Sequence, residues 1–184
     1  MPFQCSENYV TSEIQISSGD HVRGSPLAKV TLVGYGDLAN PECAGTYRTV
    51  QEIERKMGSR LRFVFRCFPK PDRFAFSEVA AEAAECAASQ RKFWEMHDCL
   101  LEKGCVSDEP GLTNCAREVG LDLERFRRDL RGHVYLARVR AGRKEGVLRG
   151  VAEAPTFFIN SVRHESSFGL ATLLPAVQAA GGGM

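Results

Sequence analysis

The sequence contains no two cysteines separated by two residues, although it carries seven: Cys5, Cys43, Cys67, Cys86, Cys99, Cys105 and Cys115. Histidines and cysteines do not cluster at the spacings of a zinc site either, so no metal is expected. An odd, unpaired set of cysteines points to reduced thiols rather than a disulfide framework. Charge of one sign is also lacking: 24 basic residues face 23 acidic ones, for a net charge of +1. That balance supplies no overall field to attract nucleic acid or an anionic membrane surface. No apolar run is long enough to cross a bilayer, and "MPFQCSENYVTSEIQISSGD" has no basic start followed by an apolar stretch. The chain as given is therefore expected to be cytoplasmic, with neither a membrane nor nucleic acid among its partners. No internal repeat is found.

What is present is a globular composition, 43% hydrophobic and 26% charged over 184 residues, enough for one domain or one domain with a large insertion. "AKVTLVGYGD" (28–37) is rich in β-branched residues and ends in glycine and aspartate, as a buried strand running into a turn does. In "NPECAGTYRTVQEIERKMGS", Asn40 and Pro41 suit the N-cap and first position of a helix. Cys43, Tyr47, Val50, Ile53 and Met57 then recur at helical spacing, which places the cysteine on the buried stripe. "LRFVFRCFP" is a second strand halted by Pro69. From Phe74 to about Gly150 the pattern is of successive short helices, with "DEPG" expected as a break between them. "APTFFINSVRH" reads as a strand hairpin and "LATLLPAVQAA" as a closing helix. The fold class is thus α/β with a helical insertion.

These segments, in this order, resemble the DsbA-like branch of the thioredoxin superfamily of thiol–disulfide oxidoreductases. The resemblance rests on "LVGYGD", "LRFVFRCFP", "AAEAAECAASQRKFWEMHD" and "APTFFIN". It implies a thioredoxin-like domain of residues 26–72 and 151–180, an inserted helical domain of residues 73–150, and an N-terminal extension of residues 1–25. In members that resemble this chain, the turn after the first strand reads CPxC; here it reads "NPEC", so Asn40 stands where the nucleophilic cysteine would be and Cys43 where the second would be. The resemblance also implies a cis-proline at Pro155, facing that turn, with Pro41, Glu42, Ala154 and Pro155 as substrate contacts. Cys67 stands where many relatives have histidine, and Glu153 and Ala154 replace the usual Gly-Thr.

Dithiol exchange needs a thiolate to attack and a second thiol to resolve the mixed disulfide. Asn40 supplies no sulfur, although its carboxamide caps a helix well. Cys43 is then either a buried packing residue, the favoured reading, or a single thiol able to exchange with glutathione or with protein and peptide thiols. Cys67 is a candidate second thiol, because parallel neighbouring strands end on the same side of a sheet. Three readings follow. The first is a relative whose dithiol activity is lost or reduced to single-thiol chemistry at Cys43. The second is a non-catalytic module that binds extended peptides. The third is a glutathione-dependent enzyme of the kappa transferase type, which resembles this fold but carries serine at the Asn40 position. Cys86 is expected to pack on a helix face with Val79 and Ala83, and Cys5 to lie in a mobile tail. His97 is expected to be a structural partner of Trp94. The basic run from Arg125 to Arg149 and the acidic stretch from Glu78 to Glu109 are expected to attract each other or to mark opposite sides of the insertion.

Overall fold

The structure is a computed structural model that describes residues 13–104 and 108–182; Cys5 and Cys105 lie outside the described residues. Its centre is a five-stranded mixed sheet in the order β1-β3-β2-β4-β5, comprising β1 His21–Gly24, β2 Val30–Gly36, β3 Leu61–Cys67, β4 Thr156–Ile159 and β5 Val162–Arg163. β2 and β3 are parallel and joined by helix α1 (Pro41–Met57), with Gly36 opposite Cys67 at the strand ends. β4 returns antiparallel to β2 and turns into β5, the hairpin expected from "APTFFINSVRH". The continuous apolar run in β2 matches its place in the middle of the sheet, where both faces are covered: Val30, Leu32, Val33 and Tyr35 are all buried.

β1 corrects the expected N-terminal extension of residues 1–25. His21–Gly24 pairs antiparallel with β3, so the sheet begins inside that stretch. Four residues with charged and half-exposed side chains carry no strand pattern of their own; pairing with β3 and a hydrogen bond from Trp94 Nε1 to the Val22 carbonyl (3.2 Å) hold them.

Between β3 and β4 lie α2 (Ser77–Ala88), α3 (Phe93–Glu102), α4 (Glu109–Glu118), α5 (Leu123–Arg131) and α6 (Leu136–Leu148); α7 (Leu170–Ala180) closes the described chain. The alanines of α2 keep it thin enough to be surrounded by its neighbours, and Cys86 is buried among them. "DEPG", expected as a break, is instead the first turn of α4. Asp108 caps it by accepting from the Gly111 N–H at 2.7 Å, and Pro110 follows inside, where no amide is needed. The acidic and basic stretches do attract each other: Arg140 pairs with Glu78 (2.9 Å), Arg138 with Glu85 (2.7 Å), His133 with Glu82 (2.9 Å) and Arg131 with Glu109 (3.6 Å). Glu82 is fully buried, and its second oxygen accepts from the Tyr135 N–H.

Gly34 lies under close packing on the sheet, where a Cβ would lie 2.8 Å from the Phe157 ring and 3.2 Å from that of Phe63. Gly34→Val should therefore destabilise the fold by about 1–3 kcal/mol through overpacking, measured as a lower urea midpoint at unchanged m-value.

Candidate functional site

The site is assembled where β2 ends, α1 begins and the chain enters β4. Asn40 has extended backbone angles and caps α1, its Oδ1 accepting from the Glu42 N–H at 2.9 Å. Its Nδ2 donates to the carbonyl of Ala154 at 2.7 Å. The peptide bond from Ala154 to Pro155 is cis, as expected. One carboxamide therefore joins the helix start to the cis-proline loop, and Asn40 is only 2% exposed.

Cys43 lies one turn into α1 on the buried stripe with Tyr47, Val50, Ile53 and Met57, as its spacing indicates, and is 5% exposed. Its sulfur accepts from the Asp37 N–H at 3.4 Å. It lines an apolar cavity of about 30 Å³ together with Tyr47, Phe63, Phe65, His97 and Pro155. Glu42, Ala154 and Pro155 line a separate, more polar groove of about 290 Å³ that also includes Arg73, Glu153 and His164. Pro155 thus borders both spaces, while Pro41 is exposed at the first position of the helix and does not line the groove.

The structure does not unite Cys67 with Cys43. The strand register brings Cys67 level with Gly36, but Cys67 lines a third cavity, of about 420 Å³, with Glu85, Arg138 and Arg66. Burial, followed by the charges of Glu85 and Asp37, pushes its thiol well above the ordinary value of 9.0. It is a poor nucleophile there.

Two site residues escape a reading of the sequence. Asp37, which signals only a turn, is 1% exposed; its carboxylate accepts from the Ala39 N–H (2.9 Å), the Lys70 N–H (2.9 Å) and the Ser77 hydroxyl, tying the end of β2 to the start of α2. His97 does pack edge-on against Trp94, with ring centroids 5.2 Å apart, but it also reaches the Cys43 cavity. Its Nδ1 lies 2.8 Å from Asp98 Oδ1, and its Nε2 has no hydrogen-bond partner among the described residues. Burial lowers the His97 pKa from its ordinary 6.5 and outweighs the opposing hydrogen bond to Asp98. Burial would raise Asp98, but the hydrogen bond from His97 and the charge of Arg23 prevail and hold its carboxyl below the usual range. The neutral imidazole therefore donates from Nδ1 to an ionised Asp98 and keeps its lone pair on Nε2.

A parallel strand–helix–strand unit, an antiparallel hairpin entered through a cis-proline, and a helical layer between them define a thioredoxin-like fold in its DsbA-like form. The chain belongs to the thioredoxin family, which matches residues 17–179. Among solved structures, the fold superposes on a thioredoxin-like oxidoreductase from Silicibacter pomeroyi DSS-3 with a TM-score of 0.77 and 27% identity, covering 89% of this chain and 93% of that one. It also superposes on oxidised BdbD from Bacillus subtilis with a TM-score of 0.79 and 21% identity, covering 90% and 94% of the two chains. Among curated proteins, it is 38% identical over 161 residues to the Na(+)/H(+) antiporter NhaA 1 of Salinispora arenicola, and 35% identical over 162 residues to that of Mycobacterium sp. strain KMS. These alignments take in 88% and 87% of this chain but 24% and 26% of the antiporters, so the chain spans about a quarter of the length of the curated relatives it matches. Among the described residues, no helix is long and apolar enough to cross a membrane.

Asn40→Ala should lose the cap and leave the Ala154 carbonyl without its donor, costing about 2–4 kcal/mol in chemical denaturation. The depressed pKa of His97 makes a second prediction. The unfolded chain takes up the proton first, so this contribution to stability is complete above pH 6.5 and shrinks as pH falls below 6.5 toward the folded value. Urea midpoints should fall between about pH 7.5 and pH 5.5 in the wild type, and less steeply in His97→Phe.

Proposed function

We propose that this protein is a DsbA-like member of the thioredoxin family in which dithiol exchange is absent and the groove beside Pro155 serves to bind an extended peptide segment. The observation that carries the reading is the double engagement of Asn40. At the position where exchange chemistry needs an exposed thiolate at a helix N-terminus, a buried carboxamide is bonded on both sides within the protein. Asn40 offers no sulfur at which a mixed disulfide could start, and Cys43 is 5% exposed on the wall of an apolar cavity, with little surface open to a substrate disulfide.

Burial weighs against a glutathione-dependent enzyme: Asn40 is 2% exposed, and its Nδ2 already gives one N–H to the Ala154 carbonyl, so little of the carboxamide is open to a glutathione thiolate. Peptide binding is favoured by the groove itself. Glu42, Arg73, Glu153 and His164 supply charged and polar groups around Ala154 and Pro155, and Lys70 and Arg73 pair with Glu153 at 3.2 Å to fix its rim. Thiol-bearing peptides and proteins remain the ligand class indicated by the family. Recognition here rests on the groove rather than on covalent capture.

Insulin reduction by the wild type should not exceed the uncatalysed rate, and Cys43 should be alkylated in the native protein only slowly. Asn40→Cys should gain dithiol turnover that disappears again in Asn40→Cys/Cys43→Ser, because its thiol would sit among the unpaired amides of the α1 start. Wild-type turnover abolished by Cys43→Ser would overturn the reading.

A further inference from the structure

The groove beside Pro155 carries a charge that its own side chains do not settle. Its lining holds three carboxylates, Glu42, Glu153 and Glu165, and two guanidiniums, Arg73 and Arg163. Four of these five are paired inside the protein. Glu153 takes Lys70 and Arg73, each at 3.2 Å, and the Lys70 ammonium foremost holds its carboxyl below the usual range. Arg163 takes Glu165 at 3.3 Å and gives a further N–H to the Gly150 carbonyl at 2.9 Å. Glu42 is the fifth, exposed, and its carboxylate has no ion-pair or hydrogen-bond partner among the described residues.

The local structure gives that carboxylate no hydrogen bond to make. The Glu42 N–H, which a capping side chain would serve, already donates to Asn40 Oδ1 at 2.9 Å, and the Glu42 carbonyl accepts from the Thr46 hydroxyl at 2.8 Å. A place in the first turn of α1 favours its negative charge without neutralising it. The same groove has an apolar wall. Pro155 and Phe168 both line it, and the Phe168 ring is held edge-on against Phe157 of β4, with centroids 5.3 Å apart.

We propose that Glu42 selects extended peptides that carry a lysine or arginine beside an apolar residue, the cation pairing with Glu42 while the apolar side chain rests on Pro155 and Phe168. The proposal rests on the peptide-binding reading above and names the class of peptide. Charge decides it. A peptide cation supplies the counter-ion that the groove lacks, whereas a peptide carboxylate would meet Glu42 while Arg73 and Arg163 are already engaged. An ion pair at so exposed a carboxylate gives a modest preference that salt screens. The selection acts on a side chain and not on a thiol, so it applies with or without a cysteine in the peptide.

The test measures, by fluorescence anisotropy, the binding of labelled cysteine-free peptides to the intact chain. The peptides are identical except for lysine, glutamine or glutamate at one central position beside a valine. In about 50 mM salt the wild type should bind the lysine peptide about threefold more tightly than the glutamine peptide, and the preference should shrink in about 0.5 M salt. Glu42→Gln should bind the lysine and glutamine peptides equally and keep the wild-type affinity for the glutamine one, while Glu42→Lys should favour the glutamate peptide. A wild type that binds all three alike, or a lysine preference that survives in Glu42→Gln, would overturn the proposal and leave the peptide-binding reading standing. A wild type that binds none of them would overturn that reading and the proposal with it.

Discussion

The architecture of the site depends on one side chain with two hydrogen bonds. The Asn40 carboxamide accepts from the Glu42 N–H and donates to the Ala154 carbonyl, so it satisfies an orphan amide of α1 and an otherwise unpaired carbonyl of the cis-proline loop together. A thiol has neither the geometry nor the strength to do both. Asn40 therefore fastens the start of α1 to the loop that leads into β4. Asp37 works one layer deeper, collecting donors from Ala39, Lys70 and Ser77. Together they satisfy the buried polar groups where β2 ends and α1 begins.

The helical layer is held differently. α2 is a thin alanine-rich rod, and its acidic side chains reach outward to α6 and the segment just before it: Glu78 to Arg140, Glu82 to His133, Glu85 to Arg138. Most of these pairs have one exposed partner and so contribute little individually. Glu82 is the exception, because a fully buried carboxylate without His133 and the Tyr135 N–H would be strongly unfavourable. The near-zero net charge of the chain thus conceals a strong internal pairing of opposite segments.

Much of this was legible in the sequence because its determinants are local. Asn40 and Pro41 announce the start of α1, and the stripe from Cys43 to Met57 announces its buried face; both signals act over a few residues. The α/β class with its helical insertion followed from the order of the segments, and the DsbA-like form and the cis bond at Pro155 from resemblance. What stayed hidden is set by distant partners. β1 is four residues long and has no pattern until β3 and Trp94 hold it, while Asp108 and Pro110 look like a loop until the helix beyond them forms. Cys67 was legible as a strand end, but the side of the sheet that its thiol serves was not, since Glu85 and Arg138 arrive from helices far along the chain. His97 likewise showed its contact with Trp94, three residues away, and not its place at the Cys43 cavity.

Trp94 has a consequence of a different kind. It is the only tryptophan in the chain, and it sits at the junction of the sheet edge and the helical layer: the Arg23 guanidinium lies 4.2 Å above its ring, its indole N–H is bonded to β1, and the His97 ring packs against its edge. An indole pinned between a cation, a backbone carbonyl and a titratable imidazole is an optical gauge of that junction. Its emission wavelength and quenching will register any loosening of α3 from the sheet without an added label, so the molecule carries its own reporter at the seam where its two structural layers meet.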